Sequence, residues 1–217
     1  MKRLVFDDID SLSSAAARRI AELAAEAIAA RGVFRIALAG GETPRRCYEQ
    51  LRQLPLDWAR VQVYFGDERC LPINDPQRND SMARETLLDS VAIPAANVHG
   101  IPVELGAEAA AASYAAMLGS EPLDLALLGM GEDGHTASLF PGNPATASRD
   151  AVVAVFGAPK PPPERVSLGM ATLNAARHKL LLVAGEGKRA ALERIALGEP
   201  LPAAGVADVE WYLDRAA

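Results

Sequence analysis

LLGMGEDGHTASLFPG, residues 127–142, closes an apolar run and opens into a glycine-rich turn. Leu123, Leu125, Ala126, Leu127 and Leu128 form a short apolar segment that reads as a buried strand of a parallel sheet. Gly129, Gly131 and Gly134 then let the backbone turn sharply, which places Asp133 and His135 at the carboxyl end of that strand. Ligands of open α/β sheets bind at such ends. Thr136 and Ser138 are suited to cap a short helical turn through Ala137, Leu139 and Phe140, which Pro141 and Gly142 would stop.

The same turn matches the dinucleotide fingerprint, Gly129-x-Gly131-x-x-Gly134, with Asp150 near the distance of a ribose-binding acid. A dinucleotide fold requires a crossover helix after those glycines. Pro141, Gly142 and Pro144 interrupt that stretch, so the match is rejected.

Outward from the turn, strands and helices alternate. Helical spacing of Ile20, Leu23, Ala27 and Ile28 predicts an amphipathic helix over residues 14–30. Residues 33–39 read as a strand, Gly40 and Gly41 as a turn, and residues 44–54 as a helix. A strand over 61–65 runs into Gly66-Asp67-Glu68-Arg69, followed by a helix over 77–88, a short strand over 98–101 and a helix over 107–118. Further strands are predicted at 152–156, 165–168 and 179–183, and a last helix over 188–197. The proline-rich residues 158–164 read as a surface loop, too short to separate domains. This order predicts one α/β domain with a mostly parallel sheet covered on both faces. The polar clusters Gly40 to Thr43, Asp67 to Arg69 and Asp133 to His135 all follow apolar strands directly.

With 217 residues, half of them apolar, the chain is long enough for a substantial core. A net charge of -6 disfavours nucleic acid and anionic membranes as partners, so an anionic ligand needs a local basic site. The cysteines Cys47 and Cys70 form no CxxC pair, and neither a cleavable signal nor a transmembrane span is read. The expectation is a cytoplasmic protein, monomer or small homo-oligomer.

Gly40-Gly41-Glu42-Thr43-Pro44 offers backbone N–H groups at a helix N-terminus, with Thr43 suited to the cap and Pro44 to the first helical position. It reads either as a phosphate cradle or as an ordinary tight turn; the Lys and spacing of a P-loop are missing. Asp67, Glu68 and Arg69 combine acids and a guanidinium fit to hold hydroxyls and an anion, or form a solvated charge run. Arg165 and Lys188 are candidates to neutralise a phosphate, or surface cations. Of three histidines only His135 sits in a glycine-rich strand end; at a helix N-terminus the dipole would keep its imidazole neutral, as a general base requires. Asp133 would orient it. No HxxxH or Cys-His cluster accompanies His135, so no metal is expected, and without a GxSxG elbow direct attack by water is preferred to a covalent intermediate.

Taken together, GGETP, DER with Arg78-Asn79 following, GMGEDGHTASLFPG, RVSL and GEGK resemble the 6-phosphogluconolactonase family from about Phe34 to the WYLDRAA tail. The resemblance implies a three-layer α/β/α sandwich around a mainly parallel, Rossmann-like sheet, shared with glucosamine-6-phosphate isomerases and deaminases. It further implies hydrolysis of 6-phospho-D-glucono-1,5-lactone, a small sugar-phosphate substrate, without a cofactor. In those terms His135 is the general base, Asp133 its partner, Arg69 a substrate-binding residue, and Gly41, Thr43, Arg165 and Lys188 the phosphate shell. Gly40 and Asp67 join the substrate-binding set from the strand-end reading. Two departures stand out: Glu42 replaces the small Ser of the family's SGGSTP turn, and Ser167 replaces the Thr after the RV pair. A carboxylate at Glu42 would repel phosphate unless it points away or pairs with Arg45 or Arg46.

Two rivals compete. An amino-sugar-phosphate isomerase on the same fold typically reads GHIAFNEPG where this chain has GHTASLFPG and lacks the Glu. A non-catalytic sugar-phosphate sensor would carry a DNA-binding module, and no basic helix-turn-helix extension is present.

Overall fold

Leu125, Ala126, Leu127 and Leu128 need an environment without water on either face, and the fold supplies it near the middle of a parallel sheet. The computed structural model describes residues 2–217. In chain order the elements are β1 (Lys2–Phe6), α1 (Ile9–Arg31), β2 (Phe34–Leu38), α2 (Glu42–Leu51), β3 (Val61–Phe65) and β4 (Asp67–Arg69). Then come α3 (Asn79–Thr86), α4 (Ala107–Leu118), β5 (Leu125–Gly129), β6 (Val152–Val155), β7 (Arg165–Leu168), α5 (Met170–Ala175), β8 (His178–Val183), α6 (Arg189–Ala196) and β9 (Glu210–Asp214). Six strands, each parallel to its neighbours, form the main sheet in the order β1-β9-β8-β5-β2-β3. Helices flank it: α1 packs on α2 and against β1, β2, β8 and β9. The α/β/α class expected from the alternation is the one observed.

Sheet order positions the site. From β2 the chain goes outward to β3 and later returns to β5 on the other side of β2, so the strand order reverses between β2 and β5. The loops leaving a reversal point diverge and leave a crevice between them. Gly40 follows β2 and Gly129 ends β5, and the two turns lie side by side, a Cβ on Gly129 falling 4.0 Å from the Gly40 carbonyl oxygen.

Several expectations change. Asp67-Glu68-Arg69, expected as the polar end of the 61–65 strand, is instead strand β4 of a separate antiparallel sheet, β4-β7-β6, pairing Asp67 with Ser167 and Arg69 with Arg165. The strand expected at 98–101 is a single bridge, Val63 to Val98. The edge pair β1 and β9 was not anticipated: KRLVF alternates poorly, and its pairing with β9 joins opposite ends of the sequence. Lys2 donates to Glu210 across that pair at 2.6 Å. Helix α1 begins at Ile9 rather than 14, because Asp8 and Ser11 form a reciprocal capping box. Helix α2 begins at Glu42 with Gly41 as its N-cap, so Thr43 does not cap and Pro44 is not the first helical residue.

No helix forms over 136–140. Leu139 N–H instead donates to the Thr136 carbonyl at 2.9 Å in a tight bridged turn, with Ala137 at φ 48. Thr136 and Ser138 spend their hydroxyls on the Gly129 carbonyl and on Asp67 rather than on capping. Among the described residues no helix is long and apolar enough to cross a membrane.

Candidate active site

Two tight turns build the chemistry-bearing loop after β5. Gly131 N–H donates to the His135 carbonyl at 2.9 Å, and Gly134 N–H to the Gly131 carbonyl at 3.0 Å. The His135 ring lies over Gly131 so closely that any Cβ there would overlap Nδ1 and Cε1, so the position needs glycine for close approach. Nδ1 of His135 is 2.5 Å from Asp133 Oδ1, which also accepts the His135 backbone N–H at 3.2 Å. Phe140 packs on the imidazole with ring centroids 4.5 Å apart.

Electrostatics fix the roles in this pair. Burial alone would raise the Asp133 carboxyl, but the charge and hydrogen bonds of His135 outweigh it and hold Asp133 below the ordinary carboxylate range. An ionised carboxylate only accepts, so Nδ1 is the donor, and in the neutral imidazole Nε2 carries the lone pair. Among the described residues no group hydrogen-bonds to Nε2, and His135 lines the adjacent cavity. Asp133 therefore fixes the tautomer and orientation of the ring by direct bonding, and no helix begins at His135 to supply the dipole expected from the sequence.

That cavity, about 380 Å³, collects residues from both loops at the strand reversal and from the small sheet. Of the residues singled out from sequence, Gly40, Gly41, Asp67, Arg69, His135, Arg165 and Lys188 line it. Asp133 supports His135 from behind and borders a neighbouring depression with Arg194. Thr43 is partly buried in the first turn of α2 and is not in the cavity wall, since the helix starts two residues earlier than expected. Four cations (Arg69, Lys160, Arg165, Lys188) face two carboxylates, Asp67 and Glu132, so the cavity is positive in a chain of net charge -6. Among the described residues no group of three or more His, Cys, Asp or Glu is arranged to hold a metal ion.

Asp67 is anchored rather than free. Ser138 Oγ donates to its Oδ2 at 2.5 Å and Asn79 Nδ2 to its Oδ1 at 3.1 Å. Asn79 was not among the expected site residues, yet it also lines the cavity and presses on Gly40, where a Cβ would overlap its Oδ1. The Ser167 hydroxyl accepts the Ser138 N–H at 3.2 Å and so ties β7 to the His135 loop. Gln77, Glu132 and Lys160 are further wall residues that sequence reasoning missed. Arg69 donates to the Gln77 carbonyl at 2.5 Å and so braces the segment before α3. Glu42 is not in the cavity wall, and its exposed carboxylate pairs with Arg46 at 3.2 Å, which lessens the repulsion it would bring to the Gly40-Gly41 turn.

Behind the wall, Glu68 is fully buried; its carboxylate accepts N–H groups of Arg69 and Asn79 at Oε1 and of Asp80 at Oε2, each within 2.9 Å. Burial dominates these bonds and pushes the Glu68 carboxyl up from 4.5 to about 7. A carboxyl raised in the folded state binds its proton more tightly there than in the unfolded chain. Its contribution to stability is therefore largest below pH 4.5 and is lost as pH rises through about 7. Chemical denaturation of wild type and Glu68→Gln at about pH 5 and about pH 7.5, on either side of that transition, should show wild type losing more stability over the interval than the variant. Equal pH dependence would mean that Glu68 stays ionised throughout.

Comparison with known proteins places this site in a family. The family model described as Glucosamine-6-phosphate isomerases/6-phosphogluconolactonase matches residues 7–213. The chain is 38% identical to the 6-phosphogluconolactonase of Streptomyces coelicolor over a 240-residue alignment that covers 99% of this chain and 92% of the relative. Among solved structures it is similar to the 6-phosphogluconolactonase of Thermotoga maritima, at TM-score 0.91 and 28% identity with 99% of each chain covered. It is also similar to a monomeric glucosamine-6-phosphate deaminase, at TM-score 0.86 and 25% identity, covering 99% of this chain and 98% of the other. A full-length family match and a full-length relative agree with the parallel sheet and the strand-end His–Asp pair, and the chain belongs to the glucosamine-6-phosphate isomerase/6-phosphogluconolactonase family.

Proposed function

We propose that the chain acts as one lactonase domain that hydrolyses 6-phospho-D-glucono-1,5-lactone to 6-phospho-D-gluconate, with His135 as general base. The observation that carries this reading is the 2.5 Å bond between Asp133 and His135 Nδ1, which leaves Nε2 turned to a cationic cavity. Full-length relatives that are 6-phosphogluconolactonases support the substrate. Two free cysteines suit a cytoplasmic setting.

Nε2 takes a proton from water as the water oxygen attacks the lactone carbonyl carbon, and the carbonyl electrons move onto oxygen. Collapse of that tetrahedral oxyanion breaks the bond from the carbonyl carbon to the ring oxygen. The imidazolium returns its proton to that oxygen, which leaves as the sugar hydroxyl while the new carboxylic acid ionises. Asp133 faces the positive charge that develops on the ring and stabilises it. The N–H groups of Gly40 and Gly41 at the start of α2, unpartnered among the described residues, meet the phosphoryl oxygens together with Lys188.

The deaminase reading has one structural neighbour in its favour. Against it, Phe140 occupies the position at which the isomerase motif carries Glu, and its ring is packed on His135. Offered the lactone and glucosamine 6-phosphate in parallel, the enzyme should release acid from the first and no ammonia from the second. Ammonia release, or no acceleration of lactone opening, would overturn the lactonase reading.

A further inference from the structure

Lys160 lies on the loop between β6 and β7, and Arg165 decides where that loop goes. Nε of Arg165 donates to the Pro162 carbonyl at 3.2 Å and one terminal N–H group to the Lys160 carbonyl at 2.9 Å. The guanidinium is almost buried and stacks 5.4 Å above the centroid of Phe140, which itself packs on His135. The backbone at Lys160 is thereby fixed to the layer that holds the base, and Lys160 becomes part of the cavity wall.

The ammonium of Lys160 has one ionic partner among the described residues, Glu132, at 3.8 Å. Both side chains are about two-thirds exposed, 64% and 65%, and exposed pairs of this kind hold weakly. Glu132 lies across Gly187, where a Cβ would meet its Oε1 at 3.2 Å, and so reaches the residue next to Lys188. Lys188 is half-buried; burial chiefly lowers its ammonium, Lys160 adds to the lowering, and Glu132 and Asp133 oppose it. Lys160 and Lys188 thus line one cavity with Glu132, which pairs with Lys160 and lies across the residue next to Lys188, while the cavity's other acid, Asp67, is anchored elsewhere.

We propose that Lys160 and Lys188 together bind the phosphoryl group, that Glu132 is the weakly held counter-ion it displaces, and that Arg165 is a positioning residue for the Lys160 loop. A phosphoryl dianion matches two ammonium charges, and each N–H donated to it is a charge-assisted bond stronger than the exposed pair it replaces. Arg165 spends its Nε and one terminal nitrogen on loop carbonyls, which is why its charge serves the loop. This inference rests on the sugar-phosphate reading above and assigns the phosphate end of the same site.

The test compares wild type, Lys160→Met and Glu132→Gln with the phosphorylated lactone, with glucono-1,5-lactone lacking phosphate, and by calorimetric titration with inorganic phosphate. Lys160→Met should raise KM for the phosphorylated lactone and the Kd of phosphate by about tenfold, the usual effect of losing one charge-assisted contact. Its kcat, and its kcat/KM on the unphosphorylated lactone, should match wild type. Glu132→Gln should tighten phosphate binding. Arg165→Lys should weaken phosphate in the wild-type background and add nothing further in Lys160→Met; additive losses would make Arg165 a direct ligand and overturn its positioning role. An unchanged KM in Lys160→Met, an equal loss on both lactones, or a wild type that does not bind phosphate would overturn the inference. If wild type opens neither lactone, the functional reading fails separately, and the phosphate titrations still decide Lys160.

Discussion

His135→Ala should reduce kcat for lactone hydrolysis by about 10²–10⁴-fold, the range expected when a positioned general base is removed. KM should change little, because the cations that meet the phosphoryl group are untouched. The variant should fold: the imidazole is one-fifth exposed, and its loop is held by backbone bonds between Gly131, Gly134 and His135 that survive truncation. Circular dichroism and a thermal midpoint close to wild type would confirm that the loss is chemical. Turnover at the wild-type rate would remove His135 from the mechanism.

The second large effect comes from a residue with no functional group. Gly131→Ala should lower kcat by about 10²-fold, since its Cβ must displace the imidazole from its place against Asp133, and misplacement of about 1 Å carries losses of that order. The ring has little room to yield: Phe140 packs on it, Asp133 holds Nδ1, and the new Cβ would also lie 2.6 Å from Asp133 Oδ1. Phosphate binding should persist. Gly100→Ala is the control, because nothing lies within 4 Å of a Cβ there, and it should keep full activity. Wild-type kcat in Gly131→Ala would mean that the packed position of His135 is not the working one.

These two predictions divide along what the sequence could carry. The strand at 125–129, the glycine turns after β2 and β5, and the Asp133-His135 pair are local signals: an apolar run, glycines and polar residues within a few positions of one another. They were readable because strand ends are where a parallel sheet opens. The places of Asn79, Ser138, Glu132 and Lys160 were not, since Asn79, Glu132 and Lys160 line the cavity, and buried Ser138 holds a wall residue, through a partner distant in sequence or through a loop whose course is set elsewhere. The partners are Asp67 for Asn79 and Ser138, Gly187 for Glu132, and Arg165 for the Lys160 loop. The small sheet β4-β7-β6 was hidden for the same reason, as DER pairs with RVSL far along the sequence, Asp67 with Ser167 and Arg69 with Arg165. The helix expected at 136–140 failed because Thr136 and Ser138 had stronger partners than a helix terminus, one in the Gly129 carbonyl and the other in Asp67.

The most direct test of the account is the rate at which freshly generated 6-phosphogluconolactone disappears in EDTA-containing buffer with wild type, with His135→Ala and with no protein. The account predicts opening well above the spontaneous rate for wild type alone, undiminished by the chelator. Equal rates for wild type and His135→Ala, or a wild-type rate that EDTA brings down to the spontaneous one, would contradict it.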